Sequence, residues 1–88
     1  MKIERFEDIV AWQKARELNK ELFCQFKTTR NFTFRDQILK ASLSITNNIA
    51  EGFERGSNKE LKQFLTIARG STAEVRSMLY TAIDNDYI

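Results

Sequence analysis

The sequence has no proline, no histidine, a single cysteine and only three glycines among its 88 residues. Without proline, nothing breaks a long helix from within. Without histidine, the chain lacks the commonest acid/base of neutral pH and the commonest metal ligand. That excludes a Cys-His nucleophile at Cys24, and also the carboxylate-plus-histidine di-iron site that helical bundles often house. A lone Cys24 cannot close an internal disulfide, which agrees with a reducing compartment. No apolar run approaches the ~20 residues of a membrane span, and no signal-like hydrophobic region opens the chain. The expectation is a cytoplasmic protein without a membrane partner. Glycine-rich phosphate loops and metal-spaced ligand sets are missing too, so no cofactor and no metal are expected. Glu51, Glu54, Glu60 and Glu74 are carboxylates without a partner that would make a mechanism, so no catalytic residue is assigned and an enzyme is the least favoured class.

What is present is ordinary for a globular chain: 42% hydrophobic, 30% charged and 11% aromatic residues. Residues 1–88 read as one small domain, burying about 60% of the surface its unfolded chain exposes, or slightly more. Such a domain is only marginally stable alone, and a partner subunit would help it. Three helices are expected, at about 7–27, 34–55 and 58–84. The first carries Ala11, Ala15, Leu18, Leu22 and Phe26 at steps of three and four. The second carries Phe34, Ile38, Ile45, Ile49 and Phe53, with Thr33 and Asp36 as a weak capping pair. Gly56 then stops it and Ser57-Asn-Lys-Glu60 starts the third as a capping box. The fold class is therefore all-α, an antiparallel up-and-down bundle.

Beside the isoleucine stripe of the second helix runs a seam of Gln37, Ala41, Ser44, Asn48 and Arg55. Short polar groups there allow a neighbouring helix to approach and supply hydrogen bonds across the boundary. Gly52, near the core side, permits close backbone contact. The alternative is that Asn48 and Glu51 touch a ligand; either reading requires a hydrogen-bond partner for a buried Asn. Leu39, Leu43 and Ala50 form a second apolar flank. The outer face of the third helix reads Gln63, Thr66, Gly70, Ser77 and Thr81, where a solvated face would carry lysine and glutamate. Small residues, including a mid-helix glycine costing about 0.8–1 kcal/mol in propensity, suggest contact with another body. Gln37, Leu39, Leu43, Ser44, Asn48, Glu51, Gly52, Gly70 and Ser77 are thus the expected packing or assembly residues. Three helices have more apolar surface than they can cover among themselves.

The net charge of +2 decides nothing about partners. Its distribution is uneven: residues 14–40 hold seven Lys/Arg against three Asp/Glu, residues 71–88 one against three. Arg16, Lys20 and Lys27 share the outer face of the first helix. Lys62, Arg69 and Arg76 recur every seven residues on the third, with Tyr80 and Tyr87 continuing the line. These six cations are the candidate nucleic-acid-binding residues. For a single chain the simpler reading of either stripe is a solvated face. Repetition in an oligomer changes that balance, because phosphate binding scales with the number of charges neutralised.

The sequence also resembles a family. "RFEDIVAWQKARELNKELF", "DQILKASLSITNNIAEGFERGS" and "ELKQFLTIARGSTAEV" are similar to runs of the four-helix bundle proteins encoded in intervening sequences of 23S ribosomal RNA genes. That family includes the accessory variability determinant of diversity-generating retroelements. Asn48-Ile49-Ala50-Glu51-Gly52 carries the most recognisable match, and the "DYI" ending resembles a Gly-Tyr-Leu. Three departures stand out. Leu39-Lys40 replaces a basic pair, Thr46 replaces a proline, and the chain stops where a fourth helix should begin, as a shortened variant or a truncated product. A lone copy would then keep an open apolar groove. The resemblance implies homo-oligomeric rings, typically pentamers, with RNA or DNA as partner, and for the retroelement protein a reverse transcriptase. The expected function is a non-enzymatic, oligomeric, nucleic-acid-binding accessory protein acting on structured RNA or RNA/DNA; the alternative is a protein–protein assembly scaffold.

Overall fold

A computed structural model describes residues 2–88. A 3-10 turn at Phe6–Asp8 precedes α1 (Val10–Phe26), α2 (Phe32–Glu54) and α3 (Asn58–Asp84), and the described residues contain no strand. The fold is all-α, as expected.

Two boundaries differ from the sequence reading. The first helix does not start at Glu7, because Ile9 is extended (φ −74°, ψ 119°) and separates the turn from α1. That break lets Phe6 fold back edge-on against Trp12, ring centroids 5.2 Å apart. Gln13 reinforces it by donating through Nε2 to the Glu7 carbonyl at 2.9 Å. The second helix starts two residues early. Asn31, not Thr33, is the cap, its Oδ1 accepting from the Phe34 amide at 3.0 Å and satisfying one of the unpaired donors of the first turn.

The corner between α2 and α3 follows the sequence closely. Gly56 sits past the end of α2 with φ +82°, a left-handed conformation that costs glycine nothing. Ser57 accepts from the Glu60 amide at 3.2 Å and its hydroxyl donates to the Glu60 carboxylate at 3.1 Å. Arg55 clasps the corner. Its guanidinium pairs with Glu51 at 2.8 Å and Glu60 at 3.7 Å, and lies 5.1 Å from the Phe64 ring centre. The hydrogen bond it donates to Glu51, then the charge of that carboxylate, hold the Arg55 pKa above its usual value.

The far end of α3 closes on itself. Asp86 is left-handed (φ 58°), and the amides of Asp86 and Tyr87 bond to the carbonyls of Ile83 and Ala82 at 3.3 and 2.8 Å. This is the double bond of a Schellman ending, in which glycine usually takes the left-handed position. Asp86 stands where the resembled pattern has glycine. The turn sends Tyr87 against Phe34, centroids 4.9 Å apart, while its hydroxyl accepts from Asn31 at 2.7 Å. Tyr87 therefore does not extend the basic line of α3; it pins the chain end to the connector between α1 and α2.

Both neighbours run antiparallel to α2. Going up α2, Phe34 meets Phe26 and Ser42 meets Asn19, while Ser44 meets Ser71 and Gly52 meets Phe64. No Cα of α1 lies within 8 Å of one in α3 among the described residues. The helices thus pack around α2, whose Ile38, Ala41, Ile45 and Ile49 form the centre of the core. The result is long and thin, 43 × 20 × 17 Å, with a radius of gyration of 14.2 Å where about 12 Å is usual at this length. It exposes 6579 Å². A compact monomer of this mass would expose about 5,400 Å².

Close approach of α2 and α3 rests on Gly52. A methyl group there would lie 2.6 Å from the Phe64 Cβ, which is fixed to backbone and cannot swing aside. Gly70 has open space around it. Gly52→Ala is therefore expected to lower stability by about 1–2 kcal/mol, overpacking outweighing the propensity gain, whereas Gly70→Ala raises it by about 0.8–1 kcal/mol. Urea unfolding of the two variants checks the opposite signs.

Candidate nucleic-acid and assembly surfaces

The expected polar seam lies between α2 and α3. The hydroxyls of Ser44 and Ser71 are 2.8 Å apart, and Asn48 donates through Nδ2 to the Ser44 carbonyl at 2.7 Å and to its hydroxyl oxygen at 2.9 Å. Asn48 is partly buried and its amide protons are spent within the chain, so its geometry is that of a packing residue. Glu51 faces solvent and holds Arg55. Gln37 is exposed beside the same seam.

A second polar node has no counterpart in the sequence reading. Ser42 is fully buried and donates to the Asn19 Oδ1; Asn19 in turn donates through Nδ2 to the Thr46 hydroxyl at 3.1 Å, which donates to the Leu43 carbonyl at 3.0 Å. Each buried polar side chain is satisfied, and the node fixes the register of α1 on α2. Thr46, where the resembled pattern has proline, is one of its members. A signal was present: Asn19 falls on the inner side of an otherwise apolar stripe, four residues after Ala15.

The six candidate cations are all exposed, and none has a carboxylate within 4 Å; the ion pairs of the described residues involve Arg5, Arg35 and Arg55. The two stripes lie in different surroundings. Arg16 and Lys20 line a hollow beside the 3-10 turn with Arg5, Glu7, Asp8 and Glu17, so their field is mixed in sign. Arg16 also stands 5.7 Å from the Trp12 ring centre, and Lys27 follows at the exposed end of α1. Arg35 is engaged elsewhere, on Asp36 at 3.1 Å and over Phe32 at 4.7 Å.

Arg69, by contrast, borders a groove between α1 and α3, and Lys62 shares a shallow hollow with it along α3. Ile45 and Ile49 of α2 form the floor of the groove, and Ala11, Ala15, Leu65 and Ala68 its walls. Lys14 stands on the α1 rim and Arg69 on the α3 rim. Arg76 continues that rim seven residues further on. The groove follows from the separation of the outer helices, and it is the position a fourth helix takes in a four-helix bundle.

A family model, 23S rRNA-intervening sequence protein, matches residues 7–88. The chain belongs to that family. No curated protein and no solved structure matches it. For this member of the 23S rRNA-intervening sequence proteins, the matched run takes in the Asn48 seam, the Gly52 contact, the Arg55 corner and the Tyr87 ending. No described helix is long and apolar enough to cross a membrane.

Of the remaining assembly residues, Leu39 is half-buried against the core, and Leu43 is exposed beside Phe23 in an apolar hollow on the opposite side of α2. Gly70 and Ser77 lie on the exposed face of α3. The buried node generates a stability prediction. Ser42→Ala should cost about 1–3 kcal/mol by leaving Asn19 short of its donor, and Ser42→Ala with Asn19→Leu should cost less than the sum of the single changes. Chemical unfolding of the four members of that cycle measures the coupling.

Proposed function

We propose that this family member is a non-enzymatic, self-assembling helical bundle that binds structured RNA or DNA in the cytoplasm. The observation that carries the reading is the freedom of its cations: Arg16, Lys20, Lys27, Lys62, Arg69 and Arg76 are exposed and without an ion-pair partner. A phosphate meeting such a side chain displaces only solvent and counterions. Arg16, Lys20 and Lys27 are the principal phosphate-binding groups, because they stand on the flank of α1 away from the groove and stay open when subunits associate there. One copy offers few charges, and a ring multiplies them. Recognition is of backbone and shape; Tyr80, 66% exposed and one turn beyond Arg76, is the exposed aromatic that continues the α3 stripe.

A second reading, an assembly scaffold without nucleic acid, is favoured by the groove between α1 and α3 and by the acids interleaved with Arg16 and Lys20. Fluorescence anisotropy of a labelled structured RNA and a DNA duplex across a salt series separates the two. Nucleic-acid binding should weaken steeply with salt. Replacing Arg16, Lys20 and Lys27 by Gln should then flatten the logarithmic slope by about 0.9 for each phosphate no longer neutralised, with assembly mass unchanged. Absence of binding at low salt leaves the scaffold reading.

A further inference from the structure

Beyond the mixed hollow at the 3-10 turn, the basic stripe of α1 passes an exposed aromatic. Phe23, 43% exposed, follows Lys20 by three residues and precedes Lys27 by four, so both lysines are its neighbours on the helix surface. Across from it on α2 stand Leu43, 40% exposed, and the half-buried Leu39. The three side chains line an open hollow of about 630 Å³, with Lys40 and Asn47 at its polar edge. Asp36, the one carboxylate that lines it, is held by Arg35 at 3.1 Å, whereas Lys20, Lys27 and Lys40 have no carboxylate within 4 Å. Phe32, 61% exposed with the Arg35 guanidinium 4.7 Å from its ring centre, lies on the same face of α2, seven residues before Leu39. This flank therefore combines flat apolar rings with positive charge that nothing neutralises.

We propose that this hollow is a base-binding site: an unpaired nucleobase stacks on Phe23 against Leu39 and Leu43, with its flanking phosphates on Lys20, Lys27 and Lys40. This rests on the nucleic-acid part of the function proposed above and names its substrate class, an unpaired segment of a structured nucleic acid rather than a continuous duplex. A nucleotide carries a flat apolar face and an anion together, the complement of an aromatic flanked by lysines. In a duplex those faces are stacked on one another and cannot reach Phe23. The Asn47 amide, which both donates and accepts, can meet the edge of a bound base. Stacking tolerates every base, so the site reads the unpaired state and leaves the sequence open. A second copy presenting the same flank is the poorer occupant, because it would set lysine against lysine.

Fluorescence anisotropy with two labelled RNAs tests the site: a duplex with a single-stranded tail, and the same duplex with that tail paired to a complementary strand. Charge alone favours the paired form, whose phosphates are denser. A base-binding site favours the free tail, which the wild type should bind about tenfold tighter. Phe23→Ala should weaken tail binding about ten- to hundredfold and leave the paired form within about twofold, while Phe23→Trp should keep the preference. Leu43→Gln should shift tail binding the same way by about threefold. Both positions are exposed, and circular dichroism verifies that helix content is kept. No binding of either RNA at low salt overturns this inference and the nucleic-acid reading together. Equal or tighter binding of the paired form, or an intact tail preference in Phe23→Ala, overturns this inference alone. So does a changed assembly mass in Phe23→Ala by sedimentation equilibrium, which would make the hollow a protein contact.

Discussion

Everything in this molecule hangs on α2, because the backbones of the outer helices approach it closely and do not approach each other. A helix used from two sides cannot be simply amphipathic. It must offer an apolar stripe to the centre and a different docking surface to each neighbour. Toward α1 it offers the buried hydroxyls of Ser42 and Thr46, which lock onto Asn19. Toward α3 it offers Ser44, Asn48 and the bare backbone of Gly52. Polar groups on both flanks of an isoleucine core fix the register of the flanking helices. Apolar contact alone would let them slide.

The same constraint explains the open surface. Between α1 and α3, one end of the molecule is closed where Phe26 reaches Phe34 and Tyr87 folds back on it. Toward the other end the walls are Ala11, Ala15 and Ala68, and Ile45 and Ile49, 6% and 3% exposed, form the floor. Bringing apolar surface of another body into that gap is favoured by the hydrophobic effect. Lys14 and Arg69 stand on the two rims of that gap.

Much of the fold was legible in the sequence because its signals are local. The Gly56–Ser57–Glu60 corner appeared where expected, since a left-handed glycine followed by a capping box leaves the chain little choice. Asn48 and Gly52 could be read as packing residues because helical spacing places them beside the core. What could not be read depended on distant partners. The Asn19–Ser42–Thr46 node joins positions far apart in sequence, and only folding shows that their polar atoms meet. The break at Ile9 depends on Phe6 reaching Trp12, and the early start of α2 on Asn31 outcompeting Thr33 as a cap. The two basic stripes looked equivalent on a helical projection. Three-dimensional placement separates them, one beside acids of the 3-10 turn and the other along an apolar groove.

The central claim is that a lone copy is an unfinished core completed by association. The most direct test is the thermal unfolding midpoint of the purified chain as a function of its own concentration. If association supplies the missing packing, the midpoint should climb by about 5–10 °C over a hundredfold increase in concentration. A midpoint that stays fixed across that range would contradict the claim and leave three helices on one wall as the complete, self-sufficient fold.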